Sequence, residues 1–366
     1  MNYKESFFFV AKCLTISYEV KNRNEIEKQL KSTSIDWDVV VKVSTAHYVF
    51  PALYCNLKRA DFLRYLPHDL VDYMRFLANL NRNRNKQIIR QAQELNYLLL
   101  VNNITPIFLK GTGNLLAGLY EDIAERMVGD IDFIFSKEDF SKSIKTIKEF
   151  GYYIKAPSVS NKRHYARLIK KGCIAAVEIH NGLLSNKKYT NEFNYSLVEK
   201  DSQIINGAAV LSYTNKLNLS IIANQINDRG FYYKTMALRN AYDVFLLSKK
   251  TNAKDSVNSL DKLSYPLNCF LAACYIVFDK VDSLEYNYTK KVASYLNEFN
   301  SEFTKPIGTI TQSKIIKIYT FINSILNIVI KSVIYKEYRV WFFKRITDKN
   351  FYKEKLIQLG LKKYDN

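Results

Sequence analysis

Two aspartates one residue apart, Asp130 and Asp132, interrupt an apolar run in GDIDFIF, residues 129–135. In an extended segment side chains alternate, so these acids share one face while Ile131 and Phe133 share the other. Carboxylates held this close repel unless a cation lies between them. Magnesium suits such a pair because it takes hard oxygen ligands and shares them with substrate phosphates; manganese is a second candidate. A third acid follows the same logic. In AVEIH, residues 176–180, Val177 and Ile179 face one way, Glu178 and His180 the other. On a strand beside the first, Glu178 completes a three-carboxylate site, and such a site can hold two metals about 4 Å apart. An edge strand whose acids face water gives the same short pattern, so the acids need a context.

That context is FLKGTGN, residues 108–114. Gly111 and Gly113 permit a tight turn whose N–H groups can face a phosphate, just before a helix, and Lys110 adds positive charge there. Taken alone the motif reads more simply as a strand-to-helix turn. Arg126 either neutralises a triphosphate or pairs with Glu121 or Asp122. His180 either contacts substrate or orients Glu178. His164 belongs to the adjoining strand and can face the same cleft. Arg239 and Asp243, four apart on an expected helix, read as an intrahelical pair, with the nucleotide as the other partner open to Arg239. His47 reads as a packed helical histidine.

The elements that must position these residues fall into three regions. Residues 1–102 read as helices, closing with RNKQIIRQAQELNYLLLVNN, where Asn102, Asn103 and Pro106 stop the last one. Residues 103–205 form an α/β core. TPIFLKG is a short strand with a glycine turn, TGNLLAGLY one amphipathic helix, and DIDFIF a strand. A helix capped by Ser136 runs to Gly151, and two strands form a hairpin around Lys171-Gly172. Residues 206–366 read as helical again. The expected class is α+β, a small mixed sheet flanked by N- and C-terminal helical regions.

Composition sets outer bounds. In 366 residues the hydrophobic fraction of 48% and charged fraction of 24% are those of an ordinary globular chain. The net charge of +19 fits a polyanionic partner such as RNA, DNA or a membrane surface, although a lysine-rich composition bias gives the same excess. Five widely spaced cysteines without a CxxC pair fit reduced, mostly buried thiols and a cytoplasmic location, against a disulfide framework or zinc site. The apolar stretch 318–330 contains Asn323 and Asn327 and is too short and polar to cross a bilayer. The tail KEYRVWFFKRITDKNFYKEK interleaves Lys336, Arg339, Lys344 and Arg345 with Tyr338, Trp341, Phe342 and Phe343. An amphipathic helix packed on the body accounts for that pattern, as does a grip on nucleic acid or membrane.

Together FLKGTGNLLAGLY (108–120), Arg126, GDIDFIF, FGY (150–152), His164 and VEIHNGLL (177–184) resemble the nucleotidyltransferase superfamily with a DNA polymerase β-like fold. Within it the chain is most similar to an uncharacterised nucleotidyltransferase family with LKG in place of Gly-Ser. The resemblance implies that Asp130, Asp132 and Glu178 bind metal and act in catalysis. Lys110, Gly111, Thr112, Gly113 and Arg126 would hold the triphosphate of an NTP, ATP included, with His164, His180 and Arg239 as further substrate contacts. The implied reaction is magnesium-dependent transfer of a nucleoside monophosphate to an acceptor, with release of pyrophosphate. RNA, such as a tRNA end modified by a toxin-like transferase, is the acceptor the charge favours; a sugar phosphate, an antibiotic or a protein is open too. Position 111 carries no serine hydroxyl, so a catalytically inactive nucleotide- or RNA-binding protein that keeps the fold is the alternative.

Overall fold

The computed structural model describes residues 1–32, 34–154 and 163–303, with scattered positions between 325 and 348. Most of the basic aromatic tail, and the helices expected beyond residue 303, lie outside the described residues. The chain opens with five helices, α1 (Tyr3–Cys13), α2 (Val20–Ser32), α3 (Trp37–Ala46), α4 (Phe50–Arg59) and α5 (His68–Val101). The middle carries β1 (Ile107–Phe108), α6 (Lys110–Leu116), β2 (Asp130–Ile134), α7 (Lys137–Glu149), β3 (Tyr153–Ile154), β4 (Leu168–Ile169), β5 (Ala176–His180), α8 (Tyr195–Lys200), β6 (Gln203–Ile205) and β7 (Ala208–Val210). Then follow α9 (Tyr213–Ile222), α10 (Gly230–Tyr233), α11 (Leu238–Ser248), α12 (Ala253–Asn258), α13 (Ser264–Val277) and α14 (Lys290–Glu302). This is the expected α+β class, with one mixed seven-stranded sheet in the order β3-β4-β5-β2-β1-β7-β6.

The long helix α5 buries one stripe, Val71, Met74, Ala78, Ile88, Ala92, Leu95 and Leu99, at helical spacing. Asn81 and Asn85 continue this stripe although they are polar. Their amides donate to the carbonyls of Ala124, Arg126 and Ile123 at 2.5–3.1 Å. Buried amides without such partners would be costly, so the two asparagines fix the loop that leads into β2. A second clamp comes from Glu125. Its fully buried carboxylate accepts from Arg59 Nη1 on α4 and Tyr242 Oη on α11, both at 2.5 Å.

The sheet core is aromatic and aliphatic. Phe108 on β1 meets Phe133 on β2 edge-on at 5.4 Å, and Ile131, Val177 and Ile179 are fully buried. The strand β2 runs parallel to β5 with Asp132 opposite Glu178. The hairpin around Lys171-Gly172 forms as expected, with β4 antiparallel to β5, and Ser136 caps α7 through the N–H of Asp139. The four fully buried cysteines and the half-buried Cys173 are all free thiols.

Two local features differ from the sequence expectation. The helix expected through Tyr120 stops at Leu116, because Gly118 takes φ +64°. Leu119 N–H then bonds Asn114 C=O and Gly118 N–H bonds Leu115 C=O, a Schellman close. The sheet also gains β6 and β7, joined by Asn206 and Gly207 at φ +51° and +77°. β7 pairs in parallel with β1.

Gly113 sits inside α6, where a Cβ would lie 2.6 Å from the Phe108 carbonyl oxygen; at Gly111 it would lie 2.9 Å from Val128 Cγ2. A backbone oxygen cannot retreat as a side-chain methyl can. Gly113→Ala is therefore expected to lose about 1–3 kcal/mol despite the better helix propensity of alanine, and Gly111→Ala clearly less. Urea denaturation of the two variants checks this order.

Candidate active site

The facing acids of β2 and β5, Asp132 and Glu178, are largely withdrawn from water. Asp132 is buried, and Glu178 beside it is mostly so. Lys110, the first residue of α6, reaches across the end of the sheet. Its Nζ lies 2.5 Å from Asp132 Oδ1 and 3.8 Å from Glu178 Oε2. Lys110 has φ +49°, a left-handed conformation that a residue with a Cβ takes at a cost of order 1–2 kcal/mol. Its neighbour Leu109 is held by an N–H bond to the Asp132 carbonyl at 2.9 Å, which ties β1 to β2 at this point. His180 completes the cluster. Its Nε2 lies 2.8 Å from Asp132 Oδ1, so that nitrogen carries the proton and donates.

The charges set the protonation states. Burial alone would raise the Asp132 pKa, but the Lys110 ammonium and the His180 hydrogen bond outweigh it and hold the carboxyl well below its usual range. Glu178 moves the other way, raised by burial and by the neighbouring Asp132 carboxylate. Burial lowers His180 to about 4, so its imidazole is neutral near pH 7.

Asp130 stands two residues from Asp132 but is not in this cluster. Its carboxylate pairs with the Arg167 guanidinium, and Arg167 Nε lies 4.0 Å from Glu178 Oε1. Among the described residues, the donors that converge closely enough to hold one metal ion are Asp132, Glu178 and His180, whose ligand atoms lie within 4.8 Å of one another. Two carboxylates and an imidazole fit a divalent cation, and the ammonium of Lys110 takes the positive charge's place among them. His164 pairs with His180 through an isolated bridge, with ring centroids 5.3 Å apart, and its Nδ1 meets the Tyr165 carbonyl at 2.8 Å.

The glycine motif opens α6 and packs that helix closely on the sheet. Gly111 and Gly113 lie within α6, Gly113 N–H is bonded to Leu109 C=O at 2.9 Å, and Thr112 Oγ1 donates to Asp130 C=O at 2.8 Å. The threonine bond locks α6 onto β2. Arg126 pairs with neither Glu121 nor Asp122, which belong to Arg59 and Arg82. It pairs with Asp243 Oδ2 through Nε and Nη2 at 3.1 and 3.0 Å, and Tyr120 Oη donates to the other carboxylate oxygen at 2.7 Å. The expected Arg239–Asp243 pair is thus replaced by a contact across the molecule. Arg239 instead lies over the Tyr48 ring at 5.1 Å. His47 is packed as expected but caps the end of α3 instead of lying within it; its Nδ1 accepts from Leu238 N–H and its Nε2 meets Tyr3 Oη.

Sequence reading did not single out Arg167 or Arg163. Arg167 lies in RHYARLI, one residue before β4 and on the strand next to Glu178, which is the signal that could have found it.

A family profile described as uncharacterised nucleotidyltransferase matches residues 33–278, about two-thirds of the chain, and spans the sheet, the acid cluster and the helices from α3 to α13. The chain belongs to this nucleotidyltransferase family. No curated protein and no solved structure matches it at a significant level.

The His180 shift has a measurable consequence. In the unfolded chain the imidazole takes up a proton as pH falls through about 6.5, while the folded imidazole resists until about 4. Stability therefore declines as pH falls across this window. His47, lowered to about 4 by burial, adds to the same decline. Between pH 7 and pH 4.5, His180→Gln is expected to lose roughly 2 kcal/mol less than the parent, read by urea denaturation at both values.

Proposed function

We propose that this protein transfers a nucleoside monophosphate from an NTP to an acceptor and releases pyrophosphate. The observation that carries the reading is the in-register pair Asp132 and Glu178, counter-charged by Lys110, in a chain of the nucleotidyltransferase family. Asp132 and Glu178, with Asp130 recruited from Arg167, would hold Mg²⁺ or Mn²⁺. When bound, such a cation supplies Lewis-acid polarisation of the α-phosphate and favours loss of the acceptor's proton.

The chain's own residues account for the rest. Glu178, whose carboxyl is made more basic by burial and by Asp132, accepts the acceptor hydroxyl proton at a carboxylate oxygen. His180 donates from Nε2 to Asp132 and fixes its orientation. Lys110 touches the acid cluster and also lines the neighbouring basic cleft, so its ammonium is available to the phosphates. The acceptor oxygen attacks phosphorus in line as the bond to the leaving pyrophosphate breaks. RNA, such as a tRNA end, is the proposed acceptor, supported by the net charge of +19.

The test uses each α-labelled NTP with Mg²⁺ or Mn²⁺ and total RNA, followed by identification of the labelled product. Labelled RNA is expected, and Asp132→Asn and Glu178→Gln are each expected to lose about 10²-fold or more in single turnover. Nucleotide binding without any transfer to RNA, protein or small molecules would support the inactive binding protein instead.

A further inference from the structure

A cleft of about 210 Å³ opens beside the acid cluster, and Lys110 lines both. Its wall carries four cations, Lys110, Arg126, Arg163 and Arg239, against two carboxylates, Asp228 and Asp243. The four cations are not equivalent. Arg126 is satisfied by Asp243 and by the Met127 carbonyl, and Lys110 by Asp132. Arg163 and Arg239 make no ion pair among the described residues, and the Nε atom of each is buried with no hydrogen-bond partner. A guanidinium carries five N–H donors in a rigid fork; in each of these half-buried arginines the Nε donor is buried unmatched, which is costly. Asp228 sits exposed on the wall and lies beyond ion-pair distance of both. The floor includes Ala223 and Asn227 from a single π-helical turn, Ala223–Asn227, a distortion that recurs at functional sites.

We infer that this cleft is a phosphoanhydride pocket in which Arg163 and Arg239 take the β- and γ-phosphates of the NTP and retain the pyrophosphate as it leaves. The proposal rests on the transferase reading for the identity of the ligand, and on the two cleft-lining guanidiniums with a buried, unpartnered Nε for its place. Size decides which part of a nucleotide enters. Sites that enclose a drug-sized ligand run to ~300–1,000 Å³, so this smaller, polar cleft suits a phosphate chain and leaves the nucleoside outside. Fork-shaped donors match phosphate oxygens in pairs, which a lysine cannot do. Arg126, held by Asp243, forms the wall behind them.

The experiment is calorimetric titration of the full chain with inorganic pyrophosphate in metal-free buffer, with a 5′-hydroxyl RNA oligonucleotide as the second arm. The parent is expected to bind pyrophosphate, and Arg163→Gln and Arg239→Gln each to weaken it about tenfold or more. Arg163→Lys and Arg239→Lys keep the charge and cover the case in which a glutamine variant fails to fold; they are expected to weaken binding too, because the fork is lost. Pyrophosphate binding that is absent, or equal in parent and all four variants, overturns the proposal. So does binding of the RNA but not of pyrophosphate, which would make the cleft an acceptor-backbone site. Arginine-dependent pyrophosphate binding in a chain that transfers no nucleotide would keep the pocket and remove the transferase reading. Transfer with arginine-independent pyrophosphate binding would do the reverse.

Discussion

Two carboxylates lie side by side in a mostly buried site, and everything around them serves to make that tolerable. The parallel register of β2 and β5 puts Asp132 opposite Glu178, and burial removes the water that would screen them. Lys110 supplies the missing charge at 2.5 and 3.8 Å. To do so it holds a left-handed backbone conformation, and α6 behind it is bolted to β2 by Thr112 and to β1 by the close approach of Gly113 to Phe108. An ammonium on a flexible stem is a counter-charge that can leave. In the proposed reaction Asp132 and Glu178 would hold a divalent cation instead, and Lys110 would turn to the phosphates.

The rest of the framework holds the same corner from outside. Asn81 and Asn85 on α5 grip three carbonyls of the loop before β2, and Glu125 in that loop is clamped by Arg59 and Tyr242. Arg126 then crosses to Asp243 on α11. Removing one partner of such a buried pair strands a charge and typically costs about 3–5 kcal/mol. These pairs join the N-terminal helices, the sheet and the later helices around one cleft. The loop thus connects the acid cluster on the sheet to the side of the cleft formed by α9, the π-turn and α11.

Much of this was legible in the sequence, and the omissions have physical reasons. Alternation in DIDFIF and AVEIH is a local signal, and it placed Asp132, Glu178 and His180 on one face as found. It could not say that this face is buried, nor that Asp130 would pair with Arg167 across the sheet. The Arg239–Asp243 spacing obeyed the helical rule, but Arg126, 117 residues away in sequence, is the better-oriented partner. Only tertiary contact decides such a competition. The strands β6 and β7 are a different case: Asn206-Gly207 is a strong hairpin signal, and the strands beside it are too short to show periodicity. Arg163 was missed because an isolated arginine has no pattern; its importance lies in a buried Nε without a partner among the described residues, which only the fold reveals.

The account stands or falls on Lys110 being a replaceable counter-charge and the acid cluster being a cation site. Titration of Mn²⁺ followed by electron paramagnetic resonance, on the parent, Lys110→Met and Asp132→Asn, tests this without any substrate. Lys110→Met is expected to bind Mn²⁺ more tightly than the parent, since a competing positive charge is gone, and Asp132→Asn to lose the site. Binding by Lys110→Met that is unchanged or weaker, or Mn²⁺ binding that survives in Asp132→Asn, would contradict it.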